Sequence, residues 1–396
     1  MDKSPGGAIP SLLREINERA VIDLLRAEGA MHAARIARLI GISKPTTSDI
    51  LRSLVESGLV CELTPGENDS ARAKNVFAAV SDIKVSVAID IGSRFIRAAV
   101  GDLNGVLRSE ISLPNTSDSL KSLLAIVESG IDQTLKSAGF SRLDIASIAV
   151  GTPGVIDQST GNIAIAGTIS ALDGVNLSAE IESLFKIQPI VENDINLLAV
   201  AEQVAGFGKG VENFAVLSVG SGLGSGLVLN GKLHRGHSGA AGEVFYIPFG
   251  DPRDRQRTAT NPSGDRIAFV ARSLANAHPG SSLREPYSTI DILEAAKAGD
   301  SLGQAVVALE ADRIALYIAG IAAVVDVELV VLAGGIGRQS TFFIQPIEAL
   351  LNEILPYPPR IAVSQLGDQG ILIGALDLSS KQACDRVFEK RSKATS

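Results

Sequence analysis

Glycine is concentrated in residues 219–243 of this 396-residue chain, where it occupies eight of the twenty-five positions. Apolar residues alternate between these glycines, a pattern that predicts a strand, a tight turn and a returning strand. Glycines at such a turn leave N–H groups free to bind an anion or a hydroxyl group. The glycines at the expected turn are Gly220, Gly222, Gly224 and Gly226. This stretch predicts either a ligand-binding hairpin or a plain β-hairpin.

The composition indicates a globular protein, because 45% of the residues are hydrophobic and the length is enough for two or three domains. Two cysteines, Cys61 and Cys384, cannot form a disulfide framework or a cysteine zinc cluster, which fits a reducing cytoplasm. The N-terminus lacks the apolar core of a signal peptide, and charges and glycines interrupt the most apolar run, 318–336. We therefore expect a cytoplasmic protein without a membrane span.

Charge is unevenly distributed along the chain. The net charge is -8, yet residues 1–80 contain ten Lys or Arg and ten Asp or Glu, so the remainder carries the whole acidic excess. A neutral head on an acidic body is compatible with a small DNA-reading domain whose basic groups act locally.

Three helices are predicted in this head. Apolar residues recur at helical spacing over 12–27, 33–40 and 44–57, and Gly41 gives the short turn expected between the last two helices. Ser43 is placed to cap the third helix. The order is typical of a helix-turn-helix domain, whose last helix enters the major groove of DNA.

The third helix and a wing carry the residues that we expect to contact DNA. The apolar residues predicted to face the core are Ile50, Leu51, Leu54 and Val55. The polar residues predicted to face base edges and phosphates are Ser43, Lys44, Thr46, Thr47 and Arg52. Strands are predicted at 59–62 and 75–80, and Arg72 and Lys74 on the wing between them are expected to contact phosphates. A protein-docking module with merely solvated threonines is the alternative.

The rest of the chain reads as two related halves. Strands at 85–92, 95–100 and 106–113 precede a helix at 120–138, and the same strand-turn-strand plan recurs about 130 residues later, at 216–233. A cleft between two such halves is the natural place for a ligand.

Two further strands are predicted to end in this cleft. Residues 145–150 lead into the rigid turn 151–154, and the strand beginning at Ile190 ends in Glu192, Asn193 and Asp194 before a helix at 195–204. An acid and an amide at the carboxyl end of a parallel strand point into a crevice. Asp194 therefore either accepts a hydrogen bond from a ligand hydroxyl or caps its helix.

Taken together, these motifs resemble the ROK family of repressors and sugar kinases. The matching motifs, in order, are Asp90-x-Gly92, Gly151-x-Pro153-Gly154, Glu192-Asn193-Asp194, the Gly220 to Gly226 hairpin, Gly239-x-Ala241-Gly242-Glu243 and Gly334-Gly335. The resemblance implies an α/β protein with an N-terminal winged helix-turn-helix and a two-lobed, actin-like (ribonuclease-H-like) ATPase or sugar-kinase fold, assembled as a homodimer or homotetramer.

The resemblance also implies roles for particular residues. Asn193, Asp194 and Glu243 fall where the family binds sugar hydroxyls, with Asp194 at the catalytic-base position of the kinases. Gly151, Pro153 and Gly154 are expected to shape the same pocket. The Gly220 to Gly226 hairpin falls at a phosphate-binding loop, and Gly334-Gly335 falls near the adenosine site.

The sequence departs from the kinases of this family at two places. Kinases follow Asp-x-Gly with Gly-Thr-Lys, whereas Ser93, Arg94 and Phe95 stand here, which adds a Cβ and removes a cation where phosphate would bind. ATP binding and kinase activity are therefore not expected. The family's Glu-x-Gly-His becomes Glu243-Val-Phe-Tyr246, so we expect no zinc, and Tyr246 either replaces the lost hydrogen bond to the sugar or fills space.

Arg94 suggests a phosphorylated effector. A guanidinium in the former phosphate loop matches the phosphate of a sugar phosphate bidentately. The alternative is an Arg94 that pairs with a nearby acid such as Asp102.

The sequence thus predicts a sugar-responsive transcriptional regulator, a repressor that binds operator DNA as an oligomer and is released by a sugar or sugar phosphate. A sugar kinase that retains a DNA-binding head and a regulator that docks on another protein are the alternatives. The expected domains are the head at 1–82, a first lobe at 83–200 with 369–396, and a second lobe at 201–368.

Overall fold

The N-terminal head is built from three helices and three short strands. It is seen in a computed structural model, which describes residues 8–63, 75–167, 169–220, 222–251, 253, 260–337 and 342–394. The elements of the head are α1 (Ala8–Glu28), β1 (Met31–His32), α2 (Ala33–Ile40), α3 (Lys44–Glu56), β2 (Val60–Leu63) and β3 (Val76–Ala79). Strand β3 pairs antiparallel with both β1 and β2, which gives the predicted winged helix-turn-helix.

The helix boundaries in the head follow from their caps. Gly41 ends α2 with φ 81°, a left-handed conformation that favours glycine. Ser43 caps α3 by accepting a hydrogen bond from the backbone N–H of Thr46, as predicted. Helix α1 begins at Ala8, earlier than residue 12, because Pro10 is tolerated in a first turn whose N–H groups have no helical partner.

The first lobe contains a five-stranded sheet in the order β10-β7-β4-β5-β6. Strands β4 and β5 form a hairpin, β6 continues it antiparallel, and β7 and β10 extend the sheet in parallel. The elements are β4 (Val85–Ile91), β5 (Phe95–Asp102), β6 (Leu107–Pro114), α4 (Leu120–Ala138), β7 (Ile145–Thr152), β8 (Val155–Ile156), β9 (Ile163–Ala164), α5 (Leu177–Phe185), β10 (Ile190–Asn193) and α6 (Asp194–Ala205).

The second lobe repeats this plan in the order β13-β12-β11-β14-β15. Strands β11, β12 and β13 run antiparallel to one another, and β14 and β15 extend the sheet in parallel. The elements are β11 (Phe214–Val219), β12 (Leu223–Leu229), β13 (Lys232–His234), α7 (Gly264–Leu274), α8 (Thr289–Lys297), α9 (Ser301–Val325), β14 (Leu329–Ala333), α10 (Gly334–Gly337), α11 (Ile344–Ile354) and β15 (Arg360–Val363). The last helix, α12 (Gly370–Ala394), returns to pack on strands β4, β5 and β7 of the first sheet. The predicted two related halves are confirmed.

Helix α6 lies between the two sheets. Leu197 is buried in one cluster with Ala88 and Ala149 of the first sheet. Its neighbours Leu198 and Ala199 are buried with strands β11 and β14 of the second sheet. A helix that is apolar on both sides is typical of an element enclosed by two layers. Helix α6 therefore contacts both lobes. The domain boundaries predicted near it stay a prediction.

Among the described residues, the helices are too short or too polar to cross a bilayer.

Candidate functional site

Asn193 is fixed at the junction of β10 and α6. Its side-chain oxygen accepts hydrogen bonds from the backbone N–H groups of Ile195 at 2.8 Å and Asn196 at 3.1 Å. Its amide nitrogen donates to the carbonyl oxygen of Gly154 at 3.0 Å. Asn193 is therefore the N-cap of α6, and among the described residues one of its two amide N–H groups has an acceptor, the carbonyl oxygen of Gly154.

Asp194 begins α6 and is not its N-cap. One carboxylate oxygen accepts a hydrogen bond from the backbone N–H of Ile195 at 2.9 Å, so the side chain is oriented by the first turn of the helix. The pKa of Asp194 is raised to about 7, chiefly by burial and then by the negative charges of Asp90 and, less strongly, Glu243. Asp90 and Glu243 therefore lie close enough to Asp194 to act on its charge, and the region around these three carboxyl groups, where Asp194 is half-buried, is the candidate crevice.

Asp90 at the end of β4 was not singled out as a ligand residue by the sequence. Burial raises its pKa to about 6, although the guanidinium of Arg97 acts in the opposite direction. Arg97 donates to the Asp90 carboxylate at 2.9 Å, and its guanidinium lies 5.6 Å from the centre of the Phe95 ring. Burial also raises the pKa of Glu243. The crevice thus contains three carboxyl groups whose pKa values are raised.

These raised pKa values predict that the protein loses stability as the pH rises. Folded Asp194 keeps its proton up to about pH 7, whereas an unfolded aspartate releases it near 3.8, so the folded state binds more protons between these values. The free energy of unfolding then falls as the pH rises through this window. We expect the melting temperature of the wild type to fall more steeply from pH 4.5 to 8 than that of Asp194→Asn, measured by differential scanning fluorimetry. Equal slopes would contradict the assignment, because Asp90 and Glu310, whose pKa values are also raised, are present in both proteins.

Glu192 forms an ion pair between the two lobes. It is therefore not an unpaired carboxylate of the crevice. It is 4% exposed, and it accepts hydrogen bonds from the backbone N–H of Asn193 at 3.0 Å and the side chain of Asn196 at 2.8 Å. Its second oxygen pairs with Arg235, just after β13, at 2.5 Å. Glu192, which the sequence did not assign to the ligand, is therefore already satisfied by neighbouring donors.

The glycine hairpin separates into an open part and a packed part. Among the residues that the structure describes, a Cβ at Gly222 would have no heavy atom within 4 Å, and one at Gly220 would meet only the backbone of Gly335 at 3.6 Å. A Cβ at Gly226 would lie 2.6 Å from the carbonyl oxygen of Ile195, and one at Gly224 would lie 3.4 Å from the Ile195 side chain. Gly220 and Gly222 are therefore open to a ligand, whereas Gly224 and Gly226 let β12 pack on α6.

The turn at 151–154 contributes both to helix packing and to the crevice. A Cβ at Gly151 would lie 2.7 Å from Leu197 and 2.9 Å from Ile371, so this glycine lets β7 approach α6 and α12. Gly154 has φ 105°, and its carbonyl oxygen holds Asn193, while Pro153 between them is half-buried. The part of this turn that touches the predicted site is therefore Gly154.

Arg94 and Tyr246 are both exposed. Asp102 forms its ion pair with Arg108 at 2.6 Å, so the alternative pairing of Asp102 with Arg94 was wrong, and no ion pair of Arg94 is found within the described ranges. Tyr246 is 53% exposed and packs edge-on against Phe245, with ring centres 5.8 Å apart. In the part of the chain that the structure describes, no group of three or more His, Cys, Asp or Glu residues could hold a metal ion.

The two faces of α3 differ from the prediction at two residues, Thr47 and Val55. Ser43, Lys44, Thr46 and Arg52 are exposed, whereas Thr47 is 1% exposed and its hydroxyl donates to the carbonyl oxygen of Ser43 at 2.9 Å. The prediction that Thr47 faces outward was wrong, because it lies three, four and seven positions before Ile50, Leu51 and Leu54 on the same helical face. Val55, by contrast, is 37% exposed. Arg72 and Lys74 lie outside the described residues.

The geometry defines the chain as a winged helix-turn-helix head on a two-lobed, actin-like α/β body, with Asp90, Asp194 and Glu243 of the two lobes near one another. The sequence matches the ROK family over residues 86–382 and the IclR helix-turn-helix domain over residues 20–62. The chain belongs to the ROK family, as its motifs indicated.

Both branches of the family are represented among similar proteins. The xylose repressor of Caldicellulosiruptor bescii is 23% identical over 386 residues, covering 92% of this chain and 96% of the repressor. A glucokinase of Halalkalibacterium halodurans is 29% identical over 312 residues, covering 73% of this chain and 92% of the kinase. A ROK family transcriptional regulator, a homologue of the Escherichia coli MLC protein, superposes with a TM-score of 0.79 at 22% identity, covering 96% of this chain and 98% of the other. The last likeness supports the fold of the whole chain, head included.

Proposed function

We propose that this protein is a sugar-responsive transcriptional repressor that acts in the cytoplasm. The observation that carries the proposal is the exposed polar start of α3, with Lys44, Thr46 and Arg52 outward and the apolar face in the core of the head. Hydroxyl groups and cations at this end of a recognition helix reach base edges and phosphates in a major groove. The xylose repressor is similar along nearly its whole length, which supports the same role here.

The effector is a sugar bound in the crevice. Asp194 and Glu243 are acceptors for sugar hydroxyls, and the second amide N–H of Asn193 is a donor. A hydroxyl that donates to Asp194 favours its ionised form, which compensates for the burial of the charge. Arg94 is exposed at the neighbouring turn, where it is free to meet the phosphate of a sugar phosphate.

Phosphoryl transfer from ATP fits these residues poorly. Arg97 already neutralises Asp90, and the exposed ring of Phe95 stands at the turn where the kinases of the family carry a cation. A Cβ at Gly92 would already lie 3.0 Å from the carbonyl oxygen of Phe95, so the turn is tight without a ligand. We therefore propose that this chain acts as a repressor and not as a kinase.

Operator binding requires an oligomer, because two half-sites are read by two heads. We propose a homodimer or homotetramer in which sugar binding alters the relation between the heads. A sugar that prefers the arrangement unable to span both half-sites weakens DNA binding by its differential affinity.

The proposal predicts sugar-dependent loss of DNA binding. The DNA is the duplex that the wild type selects from a random-sequence pool, and the probes are D-xylose, D-glucose, N-acetylglucosamine, glucose 6-phosphate and N-acetylglucosamine 6-phosphate. We expect one of them to weaken binding by about five-fold or more, measured by fluorescence anisotropy. Affinity should also fall steeply with salt, since phosphate contacts release counterions.

Three controls define the result. A coupled ATPase assay with the same sugars is expected to show no turnover, and sugar-dependent turnover would favour the kinase alternative. Loss of a preference for phosphorylated sugars in Arg94→Ala would assign the phosphate to Arg94. Failure to select any duplex, or a selected duplex whose binding no sugar alters, would refute the proposal.

A further inference from the structure

Helix α12 touches the start of α6 with no space between the two backbones. A Cβ at Gly374 would lie 1.9 Å from the carbonyl oxygen of Leu197, and one at Gly370 would lie 2.4 Å from the side chain of Leu198. Positions four apart share one helical face, so both glycines belong to a single contact stripe. Leu197 is only three residues beyond Asp194 in the crevice. Any shift of the first turns of α6 therefore bears directly on α12.

The other end of α12 completes the core of the head. Ala383, Val387 and Phe388 are buried in the same cluster as Val21 and Ile22 of α1. This cluster also contains the inward residues of α3, Ile50, Leu51 and Leu54. The head is therefore packed on α12 by the same apolar contacts that hold its recognition helix in place.

Polar contacts fix the register of this junction. Arg19 of α1 forms an ion pair with Asp385 of α12. The neighbouring thiol of Cys384 donates to the carbonyl oxygen of Leu103, just after β5, at 3.0 Å, which joins the same part of α12 to the first lobe. The head is thus attached to the helix at a defined position.

A third face of α12 borders empty space. A cavity of about 250 Å³ lies between this helix and the edge of the first sheet. Leu372, Leu376 and Ser380 line it from α12, and Ala99, Leu107 and Glu110 line it from strands β5 and β6. Packed interiors transmit displacement because they compress little, but a helix beside a cavity has room to roll.

We propose that α12 is the element that carries the state of the sugar crevice to the DNA-reading head. Closure of the crevice on a ligand shifts the first turns of α6, and α6 pushes on Gly370 and Gly374. Helix α12 then rolls toward the cavity and moves the docked head with it. The inference rests on the proposed function for the nature of the signal, whereas the mechanical connection can be tested without any sugar.

The sugar-free test inserts a methyl group between the two helices. Gly374→Ala must move α12 away from α6 and so imitate the ligand. We expect amide hydrogen exchange in α1 to accelerate, and affinity for the selected duplex to fall, by about five-fold or more without sugar. Gly130→Ala is the matched control, because its Cβ in α4 would make ordinary contacts at 3.5 and 3.6 Å. Gly370→Ala is the milder variant if Gly374→Ala does not fold, since its Cβ meets the flexible end of Leu198.

The second test fills the cavity. Leu107→Phe adds a ring at its rim, and Ala99→Leu fills it from the sheet. Both variants should bind the effective sugar within about two-fold of wild type yet lose most of the sugar-induced drop in DNA affinity, because α12 can no longer roll. Val106→Phe is the matched control, since Val106 is 53% exposed and does not line the cavity.

The outcomes separate the two proposals. Normal exchange in α1 in a folded Gly374→Ala or Gly370→Ala protein, or a full sugar response in both cavity variants, would overturn the role of α12. A wild type that ignores every sugar while Gly374→Ala still loosens the head would refute the proposed effector and leave the connection supported.

Discussion

Gly242→Ala is expected to lower the melting temperature of the protein by roughly 10 °C. Gly242 has φ 91°, where an L-residue is strained, and its Cβ would lie 1.9 Å from the carbonyl oxygen of Ser225. Its own carbonyl oxygen accepts from the N–H groups of Ser225 at 2.8 Å and Val244 at 2.7 Å, so it cannot move without breaking contacts to β12. Such backbone strain lowers the free energy of unfolding by about 3 kcal/mol. Each kcal/mol lost lowers the melting temperature of a domain the size of one lobe by about 2–4 °C.

Gly222→Ala is the control for this substitution. It makes the same chemical change in the same glycine-rich stretch, but its Cβ would meet no heavy atom of the described residues within 4 Å. We expect its melting temperature to stay close to that of the wild type in the same thermal scan. A Gly242→Ala protein as stable as Gly222→Ala would show that the loop carrying Glu243 is not held by β12 as the structure indicates.

The elements of this fold were predictable where the pattern is local. Helix α4 was predicted from residue 120 to 138 and occupies the same range, because its apolar spacing, the serine at its start and Gly139 at its end agree. The glycine hairpin within 219–243 and the strand leading to Asn193 followed from apolar runs that end in glycine or polar residues. These signals lie within a few residues of one another.

The burial of Thr47 could also have been predicted from the sequence. Its spacing to Ile50, Leu51 and Leu54 is that of a continuous helical stripe, and its hydroxyl can satisfy itself on the preceding turn. Thr47 was predicted to face outward because it is polar, whereas its position on the helix predicts that it is buried.

Other features depend on partners far along the chain. Glu192 is neutralised by Arg235, and Gly226 is needed because Ile195 lies against it. The C-terminal half of α12 lies in the core of the head, although more than three hundred residues separate it from α1. Periodicity in one segment cannot show which distant segment covers it.

The arrangement of the carboxyl groups in the crevice favours ligand binding at the expense of the stability of the ligand-free protein. Asp90, Asp194 and Glu243 each have a raised pKa, which means that the folded protein disfavours their charges. Sites prepared for a ligand commonly carry such a cost, which the bound ligand relieves. Removing one charge should therefore stabilise the free protein near neutral pH and weaken its response to sugar.

Asp194→Asn is expected to separate these two properties. The substitution preserves shape but removes a charged acceptor, and a hydrogen bond to a charged group contributes about 1.5–3 kcal/mol. We expect sugar affinity to fall roughly ten- to hundred-fold by isothermal titration calorimetry. Affinity for the selected duplex without sugar should stay near the wild-type value, because Asp194 lies in the crevice and not in the head.

Asp291→Asn is the matched control, because Asp291 is likewise an acid in the first turn of a helix but lies on the exposed surface of α8. It should leave sugar affinity and sugar-dependent DNA release unchanged. If Asp194→Asn binds the effective sugar as tightly as Asp291→Asn does, Asp194 serves α6 alone and the sugar is held elsewhere. If instead Asp194→Asn loses DNA affinity without sugar and melts at a lower temperature, the residue supports the packing of α6. Loss of sugar binding with unchanged DNA affinity and equal or greater stability at pH 8 is the combination that only a ligand-facing acid produces.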